Sequence, residues 1–318
     1  MSINAQIVRA QKKEFTCRTS TGEELIAHAP RKIFRYEQIV TGDLVVLEKD
    51  RDGEVYSIVK LQERKNEIFR LSIREKKKRV TAANCDHMLI ITSADCPSYK
   101  RGVLDRLLVR AAQWNIPASV VFNKMDLFGD LFDFNFEIDR LNSIGVDVYA
   151  VSSVDDNVDS FYGGKTLAEL KRLLHGKLTI LLGQSGVGKS KLITRLSDGQ
   201  VELLSGDVAK KTDKGSHTTA WSEIISCGNF NLIDSPGVRS LSIDDIDAEE
   251  LINLFPDLLQ ISLQCKFRDC EHLDSSKGCA FAELDEISDR ECQIIYSRLE
   301  SFLKLKYELG RLNHWERG

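Results

Sequence analysis

At 318 residues, 42% of them hydrophobic and 29% charged, the chain is long enough for two or three domains with cores of their own and has the composition of a soluble protein. No apolar run approaches the ~20 residues of a membrane span, and residues 1–7 lack the apolar core of a secretory signal, so a cytoplasmic protein without membrane contact is expected. The formal net charge of −4 hides an asymmetry: residues 1–79 carry 18 basic and 12 acidic side chains, the remainder 26 and 36.

Short apolar runs at 3–8, 25–29, 44–47 and 55–61, separated by Thr21-Gly22, Thr41-Gly42 and Asp52-Gly53, predict a small all-β domain of about five strands. A barrel of the oligonucleotide-binding (OB) type suits this length, with a protein-binding barrel as the competing reading. Residues 64–79 then hold eight basic and two acidic side chains. Such a segment is either a connector that meets a phosphate backbone or a solvated charge run. From residue 87 onward strands alternate with helices: strands at 87–92, 118–122, 146–151 and Leu178–Leu182, helices at 104–114, 137–144 and Leu167–Leu174. That alternation predicts a mostly parallel sheet covered by helices. From Asp244 helices dominate, one over 247–254 expected to stop near Pro256. Another opens on the capping box Ser288-Asp289-Arg290-Glu291 and places Cys292, Ile295, Leu299 and Phe302 on one core-facing stripe. The expected division is a barrel over 1–70, an α/β domain over 71–243 beginning with the basic connector, and a helical domain over 244–318.

Gly183-Gln184-Ser185-Gly186-Val187-Gly188-Lys189-Ser190 is a full phosphate-binding loop between a strand and a helix at 191–196. Its glycines let backbone N–H groups turn toward phosphate oxygens, Lys189 supplies charge for the β and γ phosphates, and Ser190 is the residue to ligate Mg²⁺. Asn123-Lys124-Met125-Asp126 follows a strand and is suited to guanine: Asp126 accepts from N1–H and the 2-amino group, Asn123 touches the base edge or a neighbouring loop, and the Lys124 stem packs beside the base. Ser152-Ser153 would complete the base pocket, an ordinary strand end being the alternative. Asp234-Ser235-Pro236-Gly237 has the form of a Mg²⁺-linked carboxylate followed by a glycine that senses the γ-phosphate. Thr218 or Thr219 could bind Mg²⁺ and the γ-phosphate when GTP is present. Val238 stands where Ras-like enzymes carry a water-orienting glutamine, so slow intrinsic hydrolysis is expected, with His217 the nearest replacement. The guanine motif stands 60 residues before the phosphate loop, the reverse of the ordinary order. The chain reads as a circularly permuted GTPase domain.

Cys265, Cys270, His272 and Cys279 form C-x4-C-x-H-x6-C, three thiolates and an imidazole suited to one closed, structural zinc site. Cys17, Cys85, Cys96, Cys227 and Cys292 are scattered. With these residues in view, the chain resembles the bacterial small-ribosomal-subunit-dependent GTPases (RsgA, also called YjeQ or YloQ) over nearly its whole length. The resemblance implies a multidomain α/β fold: an N-terminal OB-type barrel, a circularly permuted P-loop GTPase domain, and a C-terminal helical zinc-binding domain. It further implies GTP/GDP as substrate and product with Mg²⁺ and Zn²⁺. The small ribosomal subunit and its rRNA are the implied partners, other assembly factors further candidates, and a monomer is expected. His217 takes the catalytic role by this resemblance, in subunit-stimulated turnover late in maturation. Where the family carries a short Thr-Gly-Glu-Gly type segment after the serine pair, residues 154–165 are longer and more acidic. A nucleotide-stabilised RNA-binding scaffold is the rival reading. Because 27 residues separate Gly237 from Cys265, nucleotide state could pass directly to the C-terminal domain.

Overall fold

Alternation of buried and exposed side chains builds the first five strands: β1 (Ser2–Ala10), β2 (Phe15–Thr19), β3 (Glu24–His28), β4 (Leu44–Lys49) and β5 (Tyr56–Leu61). Ile7, Phe15, Cys17, Leu25, Ala27, Val45, Leu47 and Ile58 share one interior. The strands run in the order β1-β2-β3-β5-β4, and β4 pairs again with β1 from Ser2↔Glu48 to Gln6↔Leu44, which closes the barrel. A closed five-stranded barrel of the OB type results. The computed structural model describes the chain except residues 1, 12–13, 31–37, 51–54, 73–76, 130–131, 156–161, 202–221, 235–241, 274, 285–289 and 316–318.

The basic segment between the barrel and the α/β sheet forms an antiparallel hairpin, β6 (Glu67–Ser72) paired with β7 (Lys77–Ala83). Ile68 and Ala82 are fully buried on one side of it. On the other, Lys78 pairs with Glu67 and lies 4.2 Å over the Phe69 ring. Lys78 thus lies on the face opposite Ile68, while Arg70, paired with Arg79, is half-buried. Arg64 is drawn inward as well, donating to Asp43 Oδ1 at 2.7 Å and Glu67 Oε1 at 2.7 Å.

The central elements follow as β8 (His87–Ser93), α1 (Arg101–Gln113), β9 (Ala118–Asn123), α2 (Phe134–Asn142), β10 (Asp147–Ala150), α3 (Leu167–Leu174), β11 (Leu178–Leu182), α4 (Lys189–Leu196), β12 (Glu223–Ser226) and β13 (Asn231–Asp234). Strands β10-β9-β8-β11-β13 are parallel neighbours, and β12 runs antiparallel to β13. Period-two alternation sends Met88, Ile90 and Val120 toward α1 and α2, and Leu89, Ile91 and Val121 toward α3 and α4. Helix α3 shows why such a segment folds: Thr166 and Glu169 form a reciprocal capping box, and Leu167, Leu170 and Leu174 bury one stripe. Each of those leucines contributes about 2 kcal/mol by leaving water. Beyond β12, β1 continues the sheet through the pair Arg9↔Glu223, so barrel and α/β layer form one eleven-stranded sheet.

The C-terminal region holds a 3-10 turn (Leu251–Leu254), α5 (Pro256–Ser262) and the long α6 (Arg290–Trp315). The helix expected over 247–254 is only that turn, and Pro256 begins a helix where it was expected to end one. Proline breaks a helix interior, but at the first helical position its missing N–H is not needed and its φ is already correct. Leu299 and Phe302 are buried as expected, joined by Leu305 and Leu309. Among the described residues no helix is long and apolar enough to cross a membrane.

Candidate functional site

The carboxyl ends of the parallel strands converge on one edge of the sheet, where open α/β sheets bind ligands. Residues 124–126 follow β9, Val151 to Ser153 follow β10, residues 183–188 follow β11, and Asp234 ends β13. The phosphate loop tolerates only glycine at its two tightest points. A Cβ at Gly183 (φ 154°) would stand 2.1 Å from the Ile91 oxygen, and one at Gly188 (φ 90°) 2.5 Å from Asn123 Nδ2. Val187 is fully buried among Leu192 and Ile193 and pins the loop from below. Gln184 is half-buried, while Ser185 and Gly186 form the exposed rim. Lys189 opens α4, and its Nζ folds over the loop to donate to Gly183 O at 2.9 Å and Gln184 O at 2.6 Å. Ser190 lies in the first turn of α4, half-buried.

Asn123 ties three loops together. Its Nδ2 donates to Val187 O at 2.9 Å, and its Oδ1 accepts from Ser153 N at 3.1 Å and Ser153 Oγ at 2.9 Å. Lys124 adopts a left-handed φ of 62° and donates from Nζ to the Cys96 carbonyl. Met125 turns into the core, 1% exposed, with its N–H on Val151 O at 3.1 Å. Asp126 is exposed at the mouth. Ser152 is buried and its Oγ accepts from the N–H groups of Val154 and Asp155, both at 3.1 Å, which shapes the turn after β10. A cavity of about 560 Å³ opens between this turn and α4, lined by Ser153, Ser190, Lys191, Thr194 and Arg195. That volume suits a small-molecule ligand.

The four expected metal ligands do come together: one donor atom from each of Cys265, Cys270, His272 and Cys279 lies within 4.8 Å of the others. His272 Nδ1 is 3.6 Å from Cys265 Sγ and 3.9 Å from Cys279 Sγ. Ligand bonds of about 2.3 Å to sulfur and 2.0 Å to nitrogen give a tetrahedral edge of roughly 3.6 Å, so the cluster fits a tetrahedral cation. Burial, then Lys306, holds His272 below its ordinary pKa, which keeps the imidazole neutral and able to ligate. The Ala280 N–H donates to Cys265 Sγ at 3.4 Å, a contact that orients the thiolate from outside the cluster.

A family model described as RsgA GTPase matches residues 61–244. The chain belongs to the RsgA GTPase family. The small ribosomal subunit biogenesis GTPase RsgA of Bacillus subtilis strain 168 is 34% identical over 270 residues, covering 83% of this chain and 84% of the relative. Its namesake from Azobacteroides pseudotrichonymphae is 33% identical over 251 residues, 77% of each chain. Among solved structures, YjeQ from Thermotoga maritima superposes with a TM-score of 0.72 at 25% identity over 97% of this chain and 99% of that one. YloQ, described as a circularly permuted GTPase, gives 0.72 at 25% identity over 98% and 96%. As an RsgA GTPase the chain is a GTP hydrolase built on a permuted α/β sheet.

Several expected residues of this RsgA GTPase, His217, Thr218, Thr219 and Gly237, lie outside the described residues, as does the side chain of Asp234. Two features had no motif to announce them. The Cys96-Pro97 turn after β8 meets the site, Pro97 Cδ lying 3.7 Å from where a Gly186 Cβ would be and Cys96 O holding Lys124. Lys191, Thr194 and Arg195 line the cavity from α4. Only their position, after a carboxyl strand end and on the helix following the phosphate loop, could have found them.

Proposed function

We propose that this protein binds the small ribosomal subunit through its rRNA and hydrolyses GTP to GDP and phosphate late in that subunit's maturation, with turnover stimulated by the subunit. The relatives' shared name, small ribosomal subunit biogenesis GTPase, supports the partner. The observation that carries the reading is the Asn123 amide, which draws the guanine-type loop against the phosphate loop although 64 residues separate Asn123 from Val187. In this reading Asp126 reads the guanine edge, Lys124 flanks the base, and Met125, Ser152 and Ser153 shape the pocket. Residues 183–190 wrap the phosphates. Ser190, Asp234 and one of Thr218 or Thr219 would hold Mg²⁺, whose charge offsets that of the β and γ phosphates. Gly237 senses the γ-phosphate, and His217 positions the attacking water. Cys265, Cys270, His272 and Cys279 hold one structural zinc, the metal that a Cys3His donor set favours.

The protein works in the cytoplasm as a monomer, other small-subunit assembly factors being additional partners. Its functional units are the barrel over 1–70, the GTPase unit over 71–243 and the zinc-binding unit over 244–318. GTP turnover measured with and without purified small subunits tests the reading. A sharp rise supports it; a flat rate would make the protein a nucleotide-stabilised RNA-binding scaffold.

A further inference from the structure

Strand β8 ends on Ser93, level with Asn123 at the end of β9. The Ala94 N–H donates to Asn123 O at 3.3 Å, and from there the chain leaves the sheet, turns through Cys96 and Pro97, and enters α1. This turn touches both loops of the site. Its Cys96 carbonyl accepts from Lys124 Nζ, and Pro97 Cδ lies 3.7 Å from where a Cβ on Gly186 would be.

Both ends of the turn are anchored in the interior. Ser93, fully buried, donates from Oγ to Pro97 O at 2.6 Å and folds the turn back onto its strand. A proline brings no N–H of its own to such a turn, so the serine hydroxyl supplies the tie. On the far side Tyr99 donates to Glu137 Oε2 of α2 at 2.8 Å, its ring 5.2 Å from that of Phe122 and 4.7 Å from that of Phe132. Arg101, the first residue of α1, holds the same carboxylate, with Nε 2.9 Å from Oε1. Helix α1 is itself a fixed support. Its fully buried Asp105 accepts from Arg140 of α2 at 2.8 and 2.7 Å and from Arg298 of α6 at 3.2 Å.

We propose that Ser93 is a positioning residue of the nucleotide site: by fixing the Cys96 carbonyl it sets the Lys124 side chain, before any nucleotide arrives, in the conformer that flanks the base. The inference rests on the proposed function, which puts Lys124 beside the base. A lysine side chain has more rotamer freedom to lose than most, and a nucleotide that had to order it would bind more weakly for doing so. Held on the Cys96 oxygen, Lys124 is ordered in advance. Ser93 has no exposed surface with which to meet the nucleotide, so it acts through the turn alone.

The test is a cycle of four full-length chains, the parent, Ser93→Ala, Lys124→Met and the double variant, with GDP affinity read by fluorescence titration and folding by thermal midpoint. Methionine keeps the apolar stem and removes Nζ. Each single replacement is expected to weaken GDP by about fivefold or more. The double variant should stay within about twofold of Lys124→Met, because Ser93 has nothing to position once Nζ is gone. A role in the fold alone would act whether or not Nζ is present, so losses that multiply overturn the proposal. So does Ser93→Ala binding GDP within about twofold of the parent. Should Ser93→Ala fail to fold, Tyr99→Phe, which keeps the ring and loosens the other anchor, takes its place in the same cycle with the same expectations. A parent chain that does not bind GDP overturns the proposed function, and Lys124→Met binding as the parent does removes Lys124 from the base pocket. Either result takes this inference with it, and both are read separately from the cycle.

Discussion

Asn123 Nδ2 donates to the carbonyl oxygen of Val187 at 2.9 Å, so one buried amide joins the loop after β9 to the loop after β11. Asn123→Ala leaves the Val187 oxygen and the Ser153 N–H unpaired, a penalty of about 1–3 kcal/mol. Affinity for GDP and GTP is expected to fall together by about tenfold or more, with the preference for guanine over xanthine unchanged. Titration with all three nucleotides checks this, and a changed preference would put Asn123 on the base itself.

Asp126 is exposed at the mouth of the same edge, with its carboxylate open to a ligand. Asp126→Asn should weaken GTP and favour xanthosine triphosphate, because the amide can donate where xanthine has a carbonyl and guanine an amino group. Competition between the two triphosphates gives the answer. A variant that still prefers guanine would remove Asp126 from the pocket.

His217→Ala separates rate from affinity. A group that positions water acts in the transition state, so subunit-stimulated turnover should drop by about 10² to 10⁴ while GDP affinity holds. The loss should be smaller without subunits. Stimulated turnover within about threefold of the parent, well below that range, would assign catalysis elsewhere.

One zinc per chain is the expected metal content. Chelation or Cys270→Ser should lower the thermal midpoint and loosen residues 265–279 in hydrogen exchange, because the ligands share their cluster with Phe281 and Phe302 of the C-terminal core. GTP affinity should stay near that of the parent, since Leu192 and Ile193 behind the phosphate loop belong to a different cluster. Folded protein found free of metal by elemental analysis would sink the assignment.

His87, 4% exposed and 3.0 Å from Ser119 Oγ, is pushed down from 6.5 to about 4, chiefly by burial and then by Lys177. The folded state therefore resists the proton that the unfolded chain takes up below about pH 6.5. Stability from this group is full above that pH and falls progressively toward pH 4, by up to about 3 kcal/mol. His87→Gln should flatten that part of the pH profile in urea titrations; an unchanged slope would place the acid sensitivity in another group.

What the sequence made legible was local. Leu167–Leu174 and Leu178–Leu182 have the bounds that periodicity predicts, because a capping box and a continuous apolar run each decide their own segment. The Cys3His spacing brought its four donors together for the same reason. Pro256 misled because a helix start and a helix stop use the same residue one turn apart. That the basic run folds as a hairpin was not legible, because pairing such as Arg70↔Arg79 depends on a strand partner that a count of charges does not reveal. The Asp105, Arg140 and Arg298 network was invisible: its partners stand 35 and 193 residues apart, beyond any helical or strand period.

The continuity of β1 with β12 also seals a cut. A GTPase sheet opened at a new place and rejoined leaves raw margins, and the outer margin of β12 is a row of backbone donors and acceptors able to recruit another chain. Here Arg9 of the barrel sits against that margin. Residues 61–244, produced alone, would bare it and would also deprive Asp105 of Arg298 and Ser301. Such a fragment should precipitate or self-associate at concentrations where the whole chain stays dispersed. The barrel thus serves as the selvage of a rearranged sheet.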